Sequence, residues 1–105
     1  MTDYSSKPLF NINILTTKPG MVDEFIRLQL DGLPRLGPLP GLTESRLFRA
    51  EDGTGVVLMS GYETEEAFRD FQRSVAFQNE RAKMAPLVEN VHPAFYRLIH
   101  ERERV

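Results

Sequence analysis

The stretch that decides the fold runs from residue 42 to residue 68 and is LTESRLFRAEDGTGVVLMSGYETEEAF. Residues 42–50 and 55–62 are rich in apolar side chains and flank the turn signal Asp52-Gly53-Thr54-Gly55, so they predict an antiparallel β-hairpin. Thr64 follows as a predicted helix N-cap, with acidic residues in the first turn of the helix after it. The stretch therefore predicts two paired strands that lead directly into a helix.

A strand and a helix precede this stretch. Residues 8–16 alternate apolar and polar side chains with a period of two, which predicts a strand whose Asn11 and Asn13 share one face. From Met21 to about Leu30 apolar residues recur at helical spacing, which predicts a helix. Its apolar stripe consists of Val22, Phe25, Ile26 and Leu33. Residues 31–41 hold three prolines and three glycines, which predicts a loop with no regular element.

The end of the chain predicts a broken helical region and a last strand. Ser74 is a plausible cap for a second helix in this region, and Pro86 limits how far that helix can run. One helical stripe of this segment carries Phe77, Arg81, Met84 and Val88. Residues from Val91 to about His100 predict a closing strand. The order βαββαβ favours a ferredoxin-like α+β fold, with helices on one face of an antiparallel sheet.

Apolar residues occupy both faces of the predicted hairpin strands. Leu42 and Phe48 are expected on one face and Leu47 on the other, while Val57 and Val56 alternate in the same way. A strand that is apolar on both sides requires a cover on both sides, and this chain is too short to supply a second layer. A second copy is the expected cover, so the pattern predicts a homodimer.

Length, composition and charge predict the number of domains and exclude several classes of protein. The 105 residues predict one domain over residues 1–105, with residues 1–7 and 101–105 as flexible ends. A net charge of −2 with dispersed basic residues does not favour nucleic-acid binding. No apolar run approaches the length of a membrane span, and the first residues lack the apolar core of a secretory signal. With no cysteine, disulfides and thiolate sites are excluded, and a cytoplasmic location is expected.

The two histidines do not form a metal site. His92 and His100 lie eight residues apart on the predicted last strand, which separates them by roughly 26 Å. They cannot share a metal ion within one subunit. We therefore predict no metal site and no cofactor.

Three segments together resemble a known family. They are Lys18-Pro19-Gly20 with Asp23-Glu24-Phe25, Leu39-Pro40-Gly41-Leu42, and residues 61–68 continued by residues 74–78. In their order and spacing, over residues 9 to about 98, they are similar to the antibiotic biosynthesis monooxygenase family. This resemblance implies a dimeric α+β barrel with a small-molecule cavity between the sheet and the helices of each subunit. Some members oxidise quinols or aromatic polyketides with dioxygen and without a metal or flavin, and others bind and open haem.

The resemblance argues against haem degradation. The haem-degrading members use an Asn on the first strand, a Trp in the second helical region and a His as the iron ligand. The matching positions here are Asn13, Phe71 and Arg81, so only the Asn is kept. The sequence thus lacks the comparable iron ligand.

Eight residues form the predicted site. Asn13 and Arg81 are the predicted catalytic residues, since an amide or a guanidinium among apolar side chains must find polar partners. Arg81 could anchor a phenolate, an enolate or a carboxylate. The predicted substrate-binding residues are Phe25, Gln29, Tyr62, Phe68, Phe71 and Phe77.

Each of these residues also has a structural interpretation. Asn13 could bond a neighbouring backbone group or face the dimer seam, and Gln29 could bridge to the backbone of the proline-rich loop. Arg81 could extend outward or pair with Glu80 or Glu89. The aromatic residues could simply be core, and Tyr96 is a further candidate near a strand end.

The resemblance to the antibiotic biosynthesis monooxygenase family implies an enzyme, and these residues would form its site. The expected activity is a cofactor-independent monooxygenase that oxidises a small planar phenol, quinol or enolisable aromatic with dioxygen. The alternative is a non-catalytic dimer that binds a small aromatic ligand.

Overall fold

The computed structural model describes residues 2–103, which form a four-stranded antiparallel sheet and three helices. The strands are β1 (Leu9–Thr17), β2 (Leu42–Arg49), β3 (Gly55–Tyr62) and β4 (Val88–Arg97), and the helices are α1 (Val22–Gly32), α2 (Glu65–Arg73) and α3 (Val75–Met84). Two 3-10 turns cover Leu33–Leu36 and Ala85–Leu87. The expectation of flexible ends includes residues 1, 104 and 105, which lie outside the described residues.

The sheet confirms the predicted ferredoxin-like α+β arrangement. The strand order is β2-β3-β1-β4, with each neighbouring pair antiparallel, and α1, α2 and α3 contribute side chains to one face. β1 is therefore central, and its odd-numbered residues face the helices while its even-numbered residues face away. Asn11 and Asn13 lie on the helix-facing side. The alternating pattern had predicted that they share a face but not which face it is.

The predicted hairpin turn and the predicted helix caps Thr64 and Ser74 are confirmed. In the hairpin turn Gly53 has a φ of 75°, and the Asp52 carboxylate accepts a 3.0 Å hydrogen bond from the backbone N–H of Thr54. The Thr64 hydroxyl accepts a 3.1 Å bond from Ala67 N at the start of α2. The Ser74 hydroxyl accepts a 3.2 Å bond from Phe77 N at the start of α3. These side chains satisfy backbone donors that a helix start leaves open.

A β-bulge corrects the predicted faces of β2. The register shifts between Leu42 and Glu44, so Leu42 lies opposite Tyr62 while Phe48 lies opposite Val57. Tyr62 and Val57 point to opposite sides of β3, so Leu42 and Phe48 are not on one face. The extra residue of a bulge reverses the alternation of all residues beyond it.

Three boundary predictions were also wrong. The proline-rich stretch contains the 3-10 turn Leu33–Leu36, because Pro34 suits the first positions of such a turn. Leu33 is consequently 48% exposed and does not extend the stripe of α1. α3 ends at Met84 and Pro86 lies in the second 3-10 turn, so Val88 begins β4 rather than ending a helix.

The packed core lies at one end of the sheet. Val22 and Phe25 of α1 bury their side chains against Val56 of β3, with exposures of 5% or less. The partly buried residues around them are Leu15, Ile26, Leu47, Met84, Leu87 and Val88. A cavity between the sheet and the helices starts beside this core, where Phe25 and Val56 line it, and extends along the sheet to Tyr62.

The sheet face opposite the helices carries exposed apolar side chains. Ile14, Phe48 and Tyr96 are 51%, 47% and 49% exposed. Ile14 of β1 and Phe48 of β2 both pair with Val57 of β3, one from each side. The two side chains therefore flank Val57 on this face. Within residues 2–103 no helix is long and apolar enough to cross a membrane.

Candidate active site

A cavity of about 380 Å³ lies between the sheet and the three helices. All eight residues of the predicted site line it, together with two polar residues of the sheet that the prediction did not include, Asn11 and Ser60. The size and the largely apolar lining are typical of sites for small organic molecules.

Two amides form the polar floor of the cavity. Asn11 is 5% exposed, and its side chain lies 3.5 Å from the backbone oxygen of Ala94 on β4. Asn13 donates a 2.8 Å hydrogen bond to the Asn11 side-chain oxygen. Asn11 thus connects Asn13 to the sheet, and both amides line the cavity.

A serine extends the polar floor across β3. Ser60 is paired with Asn11 on one side and with Ser45 of β2 on the other, so the three side chains form a row on the helix-facing side. The two serine hydroxyl oxygens lie 3.4 Å apart. A ligand lying on the floor therefore meets neutral donors and acceptors rather than charges.

Tyr62 closes the far end of the floor. It is 6% exposed, and this burial raises the pKa of its phenol, while a hydrogen bond with Ser60 has a smaller opposite effect. The phenol is therefore neutral near pH 7 and can donate a hydrogen bond. Its ring meets Phe68 edge-on at 5.4 Å between centroids.

Aromatic rings on the helices form the wall opposite the floor. Phe68 of α2 also meets Phe95 of β4 edge-on, with centroids 4.9 Å apart. Phe71 of α2 and Phe77 of α3 lie 4.7 Å apart across the junction of the two helices. Phe25 of α1 belongs both to the core and to the cavity lining. Such a wall offers ring faces and edges to a planar ligand.

Gln29 and Arg81 lie on facing helices at the cavity. Gln29 of α1 is partly buried and lines the cavity. Arg81 of α3 lines it together with Phe77 and Met84 of the predicted stripe, but Arg81 is exposed and not buried. No carboxylate within residues 2–103 forms an ion pair with Arg81, including Glu80 and Glu89. The guanidinium is therefore available to an anion that enters the cavity.

The buried charge of α3 is Glu80 instead. Its carboxylate is engaged by Arg35, with nitrogen–oxygen distances of 2.6 and 3.2 Å, and by Lys83 at 3.1 Å. The bond from Arg35 is the main reason that the pKa of Glu80 is lowered to about 2. The sequence offered no signal for this contact, because Arg35 lies in the stretch that had predicted only a loop.

The prediction missed Asn11 and Ser60 for different reasons. Asn11 shares the period of Asn13, and that spacing could have identified it as a second amide of the same face. Ser60 becomes part of the site only through its pairing with Asn11, which sequence periodicity does not define. Tyr96, by contrast, lies opposite Phe10 on the other face of the sheet and is not part of the cavity.

The sequence profile for antibiotic biosynthesis monooxygenases matches residues 8–83, which is most of the chain. The chain belongs to the antibiotic biosynthesis monooxygenase family. The matched region includes all eight residues of the predicted site. No curated protein matches the chain by sequence.

Several solved structures share the fold of this chain at low sequence identity. Rv0793 from Mycobacterium tuberculosis superposes with a TM-score of 0.75 at 20% identity, covering 91% of this chain and 99% of that chain. PA3566 from Pseudomonas aeruginosa has a TM-score of 0.76 at 17% identity, covering 94% and 100%. SnoaB, a cofactor-independent oxygenase from Streptomyces nogalater, has a TM-score of 0.77 at 16% identity, covering 90% and 96%. At these identities the similarity establishes the ferredoxin-like fold.

Proposed function

We propose that this member of the antibiotic biosynthesis monooxygenase family is a cofactor-independent monooxygenase of a small planar phenol, quinol or enolisable aromatic. The observation that carries the proposal is the cavity itself, in which aromatic rings face a floor of neutral amides and one guanidinium lies at the rim. A planar ring fits between the wall and the floor. Its oxygen substituents then meet Asn13, and a negative charge on the ring system is stabilised by Arg81.

The proposed reaction uses the electrons of the substrate. Loss of a proton gives the anion, which transfers one electron to dioxygen. The resulting radical and superoxide combine to form a peroxide anion at carbon, and return of a proton gives the hydroperoxide. For an anthrone, loss of water from this hydroperoxide converts a CH₂ group into a carbonyl, so one oxygen atom enters the product and the other leaves as water. Arg81 and Asn13 stabilise the anion in this scheme, and Phe25, Gln29, Tyr62, Phe68, Phe71 and Phe77 hold the ring.

Oxygen consumption by the purified protein tests this proposal. Anthrone, naphthols and hydroquinones are supplied in turn, with a metal chelator present in a parallel series. We expect uptake above the uncatalysed rate with at least one of them, unchanged by the chelator. Anthrone should yield anthraquinone, and labelled dioxygen should place one labelled oxygen atom in it. No uptake, combined with thermal stabilisation by the same compounds, would instead favour a non-catalytic dimer that binds small aromatics.

We further propose that two copies of the chain associate through the sheet face that the helices leave open. This face presents Ile14, Phe48 and Tyr96, each about half exposed, and several exposed large apolar side chains on one sheet face favour a protein interface. The partner sheet would bury it and complete the second layer that the pattern of β2 and β3 requires.

Ile14→Glu should convert the dimer to a monomer. Ile14 lies on the central strand β1, so a charge there would be buried without a partner in the dimer. Light scattering after gel filtration should give twice the 12.0 kDa chain mass for the unaltered protein and the single mass for the variant. Val75→Glu is the control, since Val75 is 74% exposed but lies on α3. A variant that keeps the double mass would contradict this interface.

A further inference from the structure

Glu80 is a buried carboxylate that the proposed chemistry does not use. It is 6% exposed, although acidic side chains rarely occupy such positions without partners. It joins α3 to the 3-10 turn after α1, because Arg35 belongs to that turn and reaches it through two nitrogen atoms. Lys83, one turn further along α3, contacts the same carboxylate oxygen as Arg35 Nε.

The carboxylate also lies directly against α1. A Cβ atom placed on Gly32, the last residue of α1, would be 2.6 Å from Glu80 Oε2 and 3.1 Å from its carboxyl carbon. Contacts as short as the first do not occur for real Cβ atoms, so any larger residue would displace the carboxylate. The missing side chain of Gly32 therefore leaves room for the Glu80 carboxylate to lie against α1.

This contact is close to the two polar residues at the cavity that the helices supply. Gln29 lies three residues before Gly32 on α1, and residues at that spacing share a helix face. Arg81 directly follows Glu80 on α3. The distance between the two helices at Gly32 and Glu80 therefore sets how Gln29 and Arg81 face each other across the cavity.

We propose that Gly32, Arg35 and Glu80 form a helix clamp that positions Gln29 and Arg81 for the substrate. Glu80 acts through its neighbours and does not touch the substrate, so it is a positioning residue. The clamp rests on the proposed function for its role in turnover. Its effect on the geometry of Gln29 is independent of that function and can be measured without a ligand.

Turnover of anthrone by Glu80→Gln is the first test. The amide keeps the shape of the side chain but loses the charge that holds Arg35, and we expect kcat/KM to fall about 10-fold. In an Arg81→Ala background the same substitution should cost clearly less than about 10-fold, because one of the two residues that the clamp positions is absent. Glu24→Gln is the control: Glu24 forms an exposed pair with Arg27 on α1 and should leave turnover unchanged.

Gly32→Ala tests the effect of the Gly32–Glu80 contact separately from the effect of the Glu80 charge. It leaves every charge in place and displaces the Glu80 carboxylate, so the clamp predicts a loss of kcat/KM similar to that of Glu80→Gln. Full activity in Gly32→Ala would overturn the clamp and assign the effect to the charge of Glu80 alone. Equal losses from Glu80→Gln with and without Arg81 would also overturn it, since they would indicate a general loss of stability.

The ligand-free protein gives the deciding measurement if anthrone is neither bound nor oxidised. That result would remove the proposed oxidation but not the clamp. The nitrogen–hydrogen resonances of the Gln29 side-chain amide should then shift in Glu80→Gln and in Gly32→Ala, and stay in place in Glu24→Gln. Unshifted Gln29 resonances in the first two variants would overturn the clamp whatever the substrate is.

Discussion

Arg81→Ala should lower kcat/KM for an anthrone-type substrate by about 100-fold while the protein stays folded, because a preorganised group that stabilises developing negative charge contributes about this much to catalysis. Arg81 has no carboxylate partner within residues 2–103, so its removal leaves no unpaired acid behind in that part of the chain. Its exposure at the rim means that the fold does not depend on burying it. The loss should therefore appear in turnover and not in the melting temperature.

Two further variants sharpen this result. Arg81→Lys keeps the charge but not the planar guanidinium, so it should recover part of the activity. Arg69→Ala is the matched control, since Arg69 is an exposed arginine on α2 that pairs with Glu65 and does not line the cavity. Steady-state oxygen uptake and thermal unfolding are measured on all variants. Unaltered turnover in Arg81→Ala would exclude the proposed role of the guanidinium.

Gly55→Ala should destabilise the protein by about 3 kcal/mol and lower its melting temperature by roughly 10–20 °C. Gly55 begins β3 and pairs with Thr16 of β1. A Cβ atom at this position would overlap the backbone oxygen of Leu15, and the carbonyl carbon of Leu15 lies only 2.9 Å away. The obstacle is backbone within a paired strand, so it can move only if the pairing of β1 with β3 is distorted.

Gly20→Ala provides the comparison for this loss. Gly20 has a φ of 78° and open space where a Cβ would lie, so the substitution there carries a backbone cost of about 1–2 kcal/mol and no overlap. Chemical denaturation gives the free energy of unfolding of both variants. The two losses compare the cost of the atomic overlap at Gly55 with the cost of the backbone conformation at Gly20. A loss in Gly55→Ala no larger than that in Gly20→Ala would show that the strands separate easily at this point.

Much of the fold followed from local signals in the sequence. The Asp52-Gly53 turn, the caps Thr64 and Ser74 and the period of two around Asn13 each depend on a few neighbouring residues. Such signals do not need tertiary contacts, because turn geometry, capping and alternation are properties of a short piece of backbone. Errors occurred where a local rule was interrupted, as at the bulge between Leu42 and Glu44.

The candidate site was partly predictable for the same reason. The helical period places Phe25 and Gln29 on an inward face, the strand period groups Asn13 with Asn11, and the structure brings all eight predicted residues to one cavity. Their chemical roles remain predictions. The period also overstated the burial of Arg81, because a helix next to a cavity has an open side that a helical wheel treats as closed.

What the sequence by itself determined is therefore the set and order of the elements and which residues alternate within each one, since both depend on residues close together in the chain. Only the tertiary structure decided that a cavity remains between the sheet and the helices, from Val56 to Tyr62. It also decided that Ser60 joins Asn11, and that Glu80 meets Arg35 from 45 residues away. Contacts of this kind depend on strand register and on the distance between helices, which arise only when the whole chain packs.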